Sequence, residues 1–279
     1  MKKKTVFRIL SALLTAAALL LPAAAEAAPA DAVTVTLGGE VICAGQSRLI
    51  DASTYVPLRT FCAAMGVTDV AWDPAAAAAT VTAEGLSLYA AQGSRVLEVN
   101  GRAFYAPTGI RIEAGSMLVP IRPLARAFGC DVVWDGGTAT AIVIPTDEGW
   151  AKTANAVYGD TDLYWLSRII SAESRGEPLE GQLAVGNVVL NRVASPQFPN
   201  SVYGVIFDTA YAIQFTPVAN GTIYDEPAPI SVLAAKLALE GYTVSDEILY
   251  FLNPKLSTSF WIVQNRPFRL TIGTHDFYA

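Results

Sequence analysis

Histidine is nearly absent from this 279-residue chain, where His275 stands alone. Zinc and copper sites draw on converging imidazole and thiolate ligands, so one imidazole excludes the usual metal route to bond cleavage. Cysteine is scarce too: Cys43, Cys62 and Cys130 occur with no Cys-x-x-Cys spacing. They build no disulfide framework, and leave either one bridge plus a free thiol after export or three buried apolar side chains. No metal and no cofactor is expected. Basic charge is short as well, with 19 Lys and Arg against 25 Asp and Glu. Nucleic acid and anionic membrane surfaces are therefore poor partners. After residue 27 no apolar run is long enough to cross a bilayer.

What is present begins with Lys2, Lys3, Lys4 and Arg8, an Ala- and Leu-rich run, and then Ala25-Glu26-Ala27. Basic, apolar and small-residue regions in that order make residues 1–27 a secretory signal peptide, too short and Ala-rich for a lasting anchor. Its removal takes four bases and one acid and leaves a net charge of about −9. An exported protein is expected, without membrane insertion once the signal is cleaved.

Residues 28–147 read as a domain in which residues 33–145 contain a repeat. Val56-Pro57-Leu58-Arg59, an Ala-rich helix ending at Gly66, and Val70-Ala71-Trp72-Asp73 return as Val119-Pro120-Ile121-Arg122, a helix ending at Gly129, and Val132-Val133-Trp134-Asp135. Each copy reads strand, helix closed by glycine, strand. Segments 33–37, 95–99 and 138–144 add β-branched strands. One β-rich domain with two similar halves follows, and Trp72 and Trp134, lying inside strands, are expected in its core rather than as exposed sugar-stacking platforms. The pattern resembles the copper amine oxidase-like N-terminal domain, a stalk module of wall-associated proteins; with no histidine in this half, copper binding is not expected. Residues 148–160 read as a linker.

The most informative stretch is 161–193. Counting back from Glu173 by three and four gives Ile170, Ile169 and Leu166, so this carboxylate lies on the apolar stripe of a helix. That helix is expected to be capped by Thr161 or Asp162 and ended by Pro178. Burial raises a carboxyl pKa and lets it keep a proton for a leaving group, unless Arg168 or Arg175 clamps it. Glu177, one turn on, points the same way as Glu173, and Glu180 starts the next helix. Asn187 and Asn191 are expected as internal braces. Residues 230–241 read as a helix, and 249–252 and 261–263 as short strands.

The run Ser171-Ala172-Glu173-Ser174-Arg175-Gly176-Glu177-Pro178, with Glu180-Gly181-Gln182 and Asn191-Arg192, resembles the cell wall hydrolase family typified by the spore-cortex-lytic enzyme. The likeness continues through residues 195–207, 213–224, 249–254 and 272–277, covering 161–279 in order. It implies a lysozyme-like, mainly helical α+β catalytic domain after the β-rich stalk, with peptidoglycan glycan strands as substrate. Lytic transglycosylase activity with Glu173 as general acid and base is what the resemblance implies. Gln214, Phe215, Tyr224, Tyr250, Asn253, Trp261 and His275 are the groove candidates, mixing amides with aromatics that pack on pyranose faces. Two alternatives stay open: a hydrolytic muramidase or glucosaminidase with Asp208 or Asp225 as second carboxylate, and a non-catalytic wall-binding surface protein.

Overall fold

The structure, a computed structural model, describes residues 31–210 and 214–279, so the signal peptide and Ile213 lie outside the described residues. The β-branched segments form strands in the first half: β1 (Thr34–Leu37), β2 (Glu40–Ile42), β3 (Arg48–Ile50) and β4 (Ser53–Pro57) precede helix α1 (Leu58–Ala64). Then come β5 (Val70–Asp73), β6 (Ala78–Ala83), β7 (Leu86–Ala91), β8 (Val96–Val99), β9 (Arg102–Tyr105), β10 (Arg111–Glu113) and β11 (Ser116–Pro120). Helix α2 (Ile121–Ala127), β12 (Cys130–Asp135) and β13 (Thr140–Pro145) complete it. Three sheets result, ordered β12-β13-β1-β2, β10-β11-β4-β3 and β5-β6-β7-β8-β9.

The repeat has a structural cause. Its two copies meet where β4 and β11 pair antiparallel, Val56 opposite Val119, with both valines fully buried. In each copy proline leads into the helix and the following Leu58 or Ile121 enters the core. Arg59 then donates to the Val70 carbonyl at 2.8 Å, and Arg122 to that of Val132 at 2.8 Å. Asp73 and Asp135 accept amide hydrogens from Ala75 and Gly137, turning the chain back after each Trp-Asp pair.

The tryptophans correct the sequence reading. Trp72 and Trp134 are 46% and 39% exposed. Both sit on the outermost strand of a sheet, opposite the buried Ala79 and Ala141, and are exposed because no further strand covers that edge. Strand membership does not say whether a strand lies at the centre or the edge of its sheet. The cysteines are three buried free thiols.

The second half is mainly helical: α3 (Ala154–Val157), α4 (Asp160–Ser174), α5 (Leu179–Ala194), α6 (Val202–Ile206) and α7 (Thr216–Asn220), followed by a 3-10 turn (Thr222–Tyr224) and α8 (Pro229–Leu239). After β14 (Tyr250–Leu252) and α9 (Trp261–Asn265), the hairpin β15 (Phe268–Ile272) and β16 (His275–Tyr278) closes a sheet ordered β14-β16-β15. Helices α4, α5 and α8 bury Leu166, Ile169, Ile170, Val185, Val188, Val189, Ala234 and Ala235 completely. Gly186 permits this approach, since a Cβ there would stand 2.9 Å from Ile170 Cδ1 and 3.3 Å from Ala238 Cβ.

Three boundaries differ from expectation. Helix α4 starts behind Gly159 without a side-chain cap, so neither Thr161 nor Asp162 caps it. It stops at Ser174, whose hydroxyl bonds back to the Ile170 carbonyl at 2.7 Å; Pro178 instead precedes the first turn of α5. Residues 261–265 are helical rather than a strand, held by Asn265 Nδ2 donating to the Trp261 carbonyl at 2.8 Å. Three apolar residues carry no usable period.

Residues 31–279 form one compact unit. Segment 148–160 is tied down: Ala154 donates its amide to the Asn100 carbonyl at 3.0 Å, and Trp150 packs on Phe128. Beside it, Arg102 grips Glu240 with two bonds of 2.6 Å, Arg126 adds one of 2.8 Å and the Tyr158 hydroxyl one of 2.9 Å. The Glu240 side chain is fully buried. Arg95 and the Tyr105 hydroxyl likewise hold Glu180 on α5, and Val96 and Ala103 join the helical core.

Candidate active site

Glu173 is the penultimate residue of α4. The stripe that places it there is real: Leu166, Ile169 and Ile170 are fully buried. Its carboxyl opens onto a cleft of about 930 Å³. Burial pushes its pKa up to about 7. No guanidinium clamps it. Arg168 turns to Glu226 and the Tyr164 ring, and Arg175 to Ser171 Oγ and the Glu226 carbonyl. Among the described residues no hydrogen bond or ion pair restrains the Glu173 carboxyl. At neutral pH it is partly protonated and open to a ligand.

Glu177 also reaches this cleft, but its carboxyl is committed. It accepts the Thr274 amide at 2.9 Å and the Thr274 hydroxyl. Burial would raise its pKa; the Thr274 bonds outweigh that and hold it below the usual carboxylate range. His275 Nδ1 lies 3.4 Å away without forming a hydrogen bond. Burial lowers the His275 pKa more than Glu177 raises it, so the ring is neutral at pH 7 and the contact is no ion pair. Asn253 Nδ2 donates to Thr274 Oγ1 at 3.1 Å, so one threonine links the start of α5, the terminal hairpin and the loop after β14. Gln182 secures the same corner, donating to the Glu177 carbonyl at 2.9 Å and accepting from Ser231 at 2.7 Å.

Of the predicted groove residues, Gln214, Phe215, Tyr250, Asn253, Trp261 and His275 line this cleft with Glu173. Phe215 and His275 are buried in its floor, whereas Trp261 is 51% exposed at the rim. Tyr224 does not line it; that side chain stands outside, edge-on to Trp165. Asn187 and Asn191 are the expected braces, bonding Tyr242, Val244, Ser245 and Ile248 backbone atoms.

Arg192 is a charged lining residue to which the sequence assigned no role in the groove. It is 5% exposed, and burial brings its pKa down to about 10. Its Nε donates to the Leu249 carbonyl at 2.7 Å, and its guanidinium packs on Phe198, Phe215 and Tyr250 at 5.0 to 5.3 Å. Nη1 is buried without a partner. The signal was available: Arg192 continues the stripe Val185, Val188, Val189 of α5, just as Glu173 continues that of α4.

The cleft thus offers one free carboxyl. Asp208 is absent from its lining, and its Oδ1 accepts the Ala210 amide; Asp225 lines a different hollow. A proton donor facing an aromatic-walled groove suits acid catalysis on a polyhydroxylated chain.

Residues 176–278 match the family described as Cell Wall Hydrolase, and residues 29–143 the Copper amine oxidase N-terminal domain. The first match begins just past Glu173, so the role of that acid rests on geometry. The chain is 44% identical over 120 residues to the spore cortex-lytic enzyme of Bacillus subtilis, covering 43% of this chain and 38% of that protein. It is 41% identical over 142 residues to the spore cortex-lytic enzyme of Bacillus cereus, covering 51% and 52%. The chain therefore spans about half or less of these relatives. The solved catalytic domain of a germination-specific lytic transglycosylase from Bacillus anthracis shares 40% identity, covers 44% of this chain and 97% of that one, and aligns with a TM-score of 0.40.

Copper does not fit the residues of the N-terminal half. Thiol ligands bind as thiolates, but burial pushes Cys43 up to about 11 and Cys62 to about 12. No histidine accompanies them there.

Proposed function

We propose that this chain, a cell wall hydrolase domain behind a copper amine oxidase-like N-terminal domain, is an exported lytic transglycosylase of peptidoglycan. Glu173 protonates the oxygen bridging N-acetylmuramic acid to N-acetylglucosamine. As that bond breaks, the muramyl C6 hydroxyl attacks C1 and returns its proton to the Glu173 carboxylate, closing a 1,6-anhydro ring. Attack within one sugar has the effective molarity of an intramolecular reaction, so no second enzyme carboxylate is needed. The observation that carries this reading is a single uncommitted carboxyl, held near pKa 7, in a cleft whose other acid is tied to Thr274.

Hydrolysis would require a second carboxylate across the sugar, about 5 to 10 Å from the first. Asp208 and Asp225 lie outside the lining, which favours the transglycosylase. The names of the relatives point to spore cortex, with vegetative wall as the other substrate. Digestion of both sacculi followed by mass spectrometry tests the reading. Anhydro-muramyl ends are expected; reducing ends would establish the hydrolase instead. Glu173→Gln should slow release about 10² to 10⁴-fold. Undiminished action of that variant would mark a wall-binding protein.

A further inference from the structure

A second hollow of about 370 Å³ lies on the other flank of α4. Arg168, Ser171 and Arg175 line it from the helix side, and Asn220, Thr222 and Asp225 from the 3-10 turn and its flanks. It adjoins the cleft. Ala172 lines the hollow while its neighbour Glu173 lines the cleft, and α7 places Thr216 in the cleft and Asn220 in the hollow.

Its chemistry is that of a sugar site rather than an anion site. Two guanidiniums, Arg168 and Arg175, are balanced by Asp225 and Glu226, the latter 3.3 Å from Arg168. Arg168 Nε is buried with no hydrogen-bond partner. Just beyond the hollow, Tyr224 is 62% exposed yet backed by Trp165, which also packs on Tyr164 and Phe207 at 4.9 Å. Arg168 lies 3.8 Å from the Tyr164 ring centre. An exposed ring on a rigid base beside planar amide and guanidinium groups suits a pyranose, with its apolar face and ring of hydroxyls.

We infer that the hollow and Tyr224 form a secondary glycan subsite, holding a neutral N-acetylated pyranose of the same strand whose linkage is presented to Glu173. This deepens the transglycosylase reading and rests on it for the identity of the strand. The second subsite gives the protein a preference for long strands over short fragments, since only a long strand fills both sites at once.

The test uses the full chain carrying Glu173→Gln, so that strands are held and not cut, with N-acetylglucosamine oligomers of increasing length and purified glycan strands as probes. Affinity should rise with length until both sites are filled. Tyr224→Ala should weaken long-strand binding about tenfold, with Tyr224→Phe restoring most of it, as expected for one stacking contact. Arg175→Ala should shrink the advantage of long strands over short ones. Equal long-strand binding by the Tyr224→Ala and parent proteins, with circular dichroism unchanged, overturns the subsite. Failure of the catalytic reading looks different: the protein with Glu173 intact releases no fragments, while the binding loss at Tyr224 persists.

Discussion

At the residue scale, the property that suits Glu173 to chemistry makes it a burden on the fold. Its carboxyl ionises at 4.5 in an unfolded chain and near 7 in the fold. Between those values the native state holds a proton that the unfolded state has released, so stability falls as pH rises through the window and then levels off. The stability is fully present below pH 4.5, and about 3 kcal/mol of it is lost above pH 7. Glu173→Gln should therefore inactivate and stabilise together. Urea midpoints should move up at pH 8 and hardly at pH 4, and equal midpoints at both values would show that the carboxyl is not desolvated. Glu173 was legible because a charged side chain breaks an apolar stripe. Arg192 obeys the same rule, but only the assembled floor of Phe198, Phe215 and Tyr250 reveals that it lies under the cleft.

At the scale of elements, the cleft is held open by a hairpin fastened to a helix start. Gly273 sits in the β15–β16 turn at φ +58°, and a Cβ there would collide with Glu177 Oε2. Gly273→Ala combines backbone strain with loss of the Thr274 lock and should cost about 2 to 4 kcal/mol, read as a lower thermal midpoint and weaker glycan binding. Glu177→Gln should be milder and pH-dependent with the opposite sign to Glu173. A depressed carboxyl contributes stability above its unfolded pKa that is lost as pH falls through its folded value, so parent and variant should converge in acid. The repeat was legible here down to the proline before each helix, because both copies perform the same local task. The exposed edge faces of Trp72 and Trp134 and the helical turn at 261–265 were not, since strand edges and three-residue periods depend on neighbours distant in sequence.

At the scale of the molecule, the N-terminal domain is fixed to the helical half by Glu240. Arg102 and Arg126 reach it from 138 and 114 residues away. Removing the carboxylate leaves Arg102 buried without its partner while Arg126 stays partly in solvent, a loss of about 3 kcal/mol. The parent chain should unfold in one calorimetric transition. Glu240→Gln should lower the midpoint by several degrees or split the transition in two. An unchanged single transition would mean that the two halves are stabilised independently of this cluster. A spacer that merely tethers would leave such a cluster unmade, so the domain read as a stalk from its repeat also serves as structural support for α8.

The amino-acid order alone determined the β-rich repeat followed by a helical half, the carboxylate on a buried stripe, and six of the seven groove residues in the cleft. The first two follow from short-range period and turn residues, which a linear chain carries explicitly, and the groove residues from the likeness of residues 161–279 to a known family. Only the tertiary structure decided that Glu177 is spent on Thr274, that Tyr224 stands outside the cleft, that Arg192 lies beneath it and that Glu240 joins the halves. A charged side chain reads the same in sequence whether it is solvated, catalytic or structural; its surroundings, assembled from distant segments, set its desolvation and its partners, and with them its role.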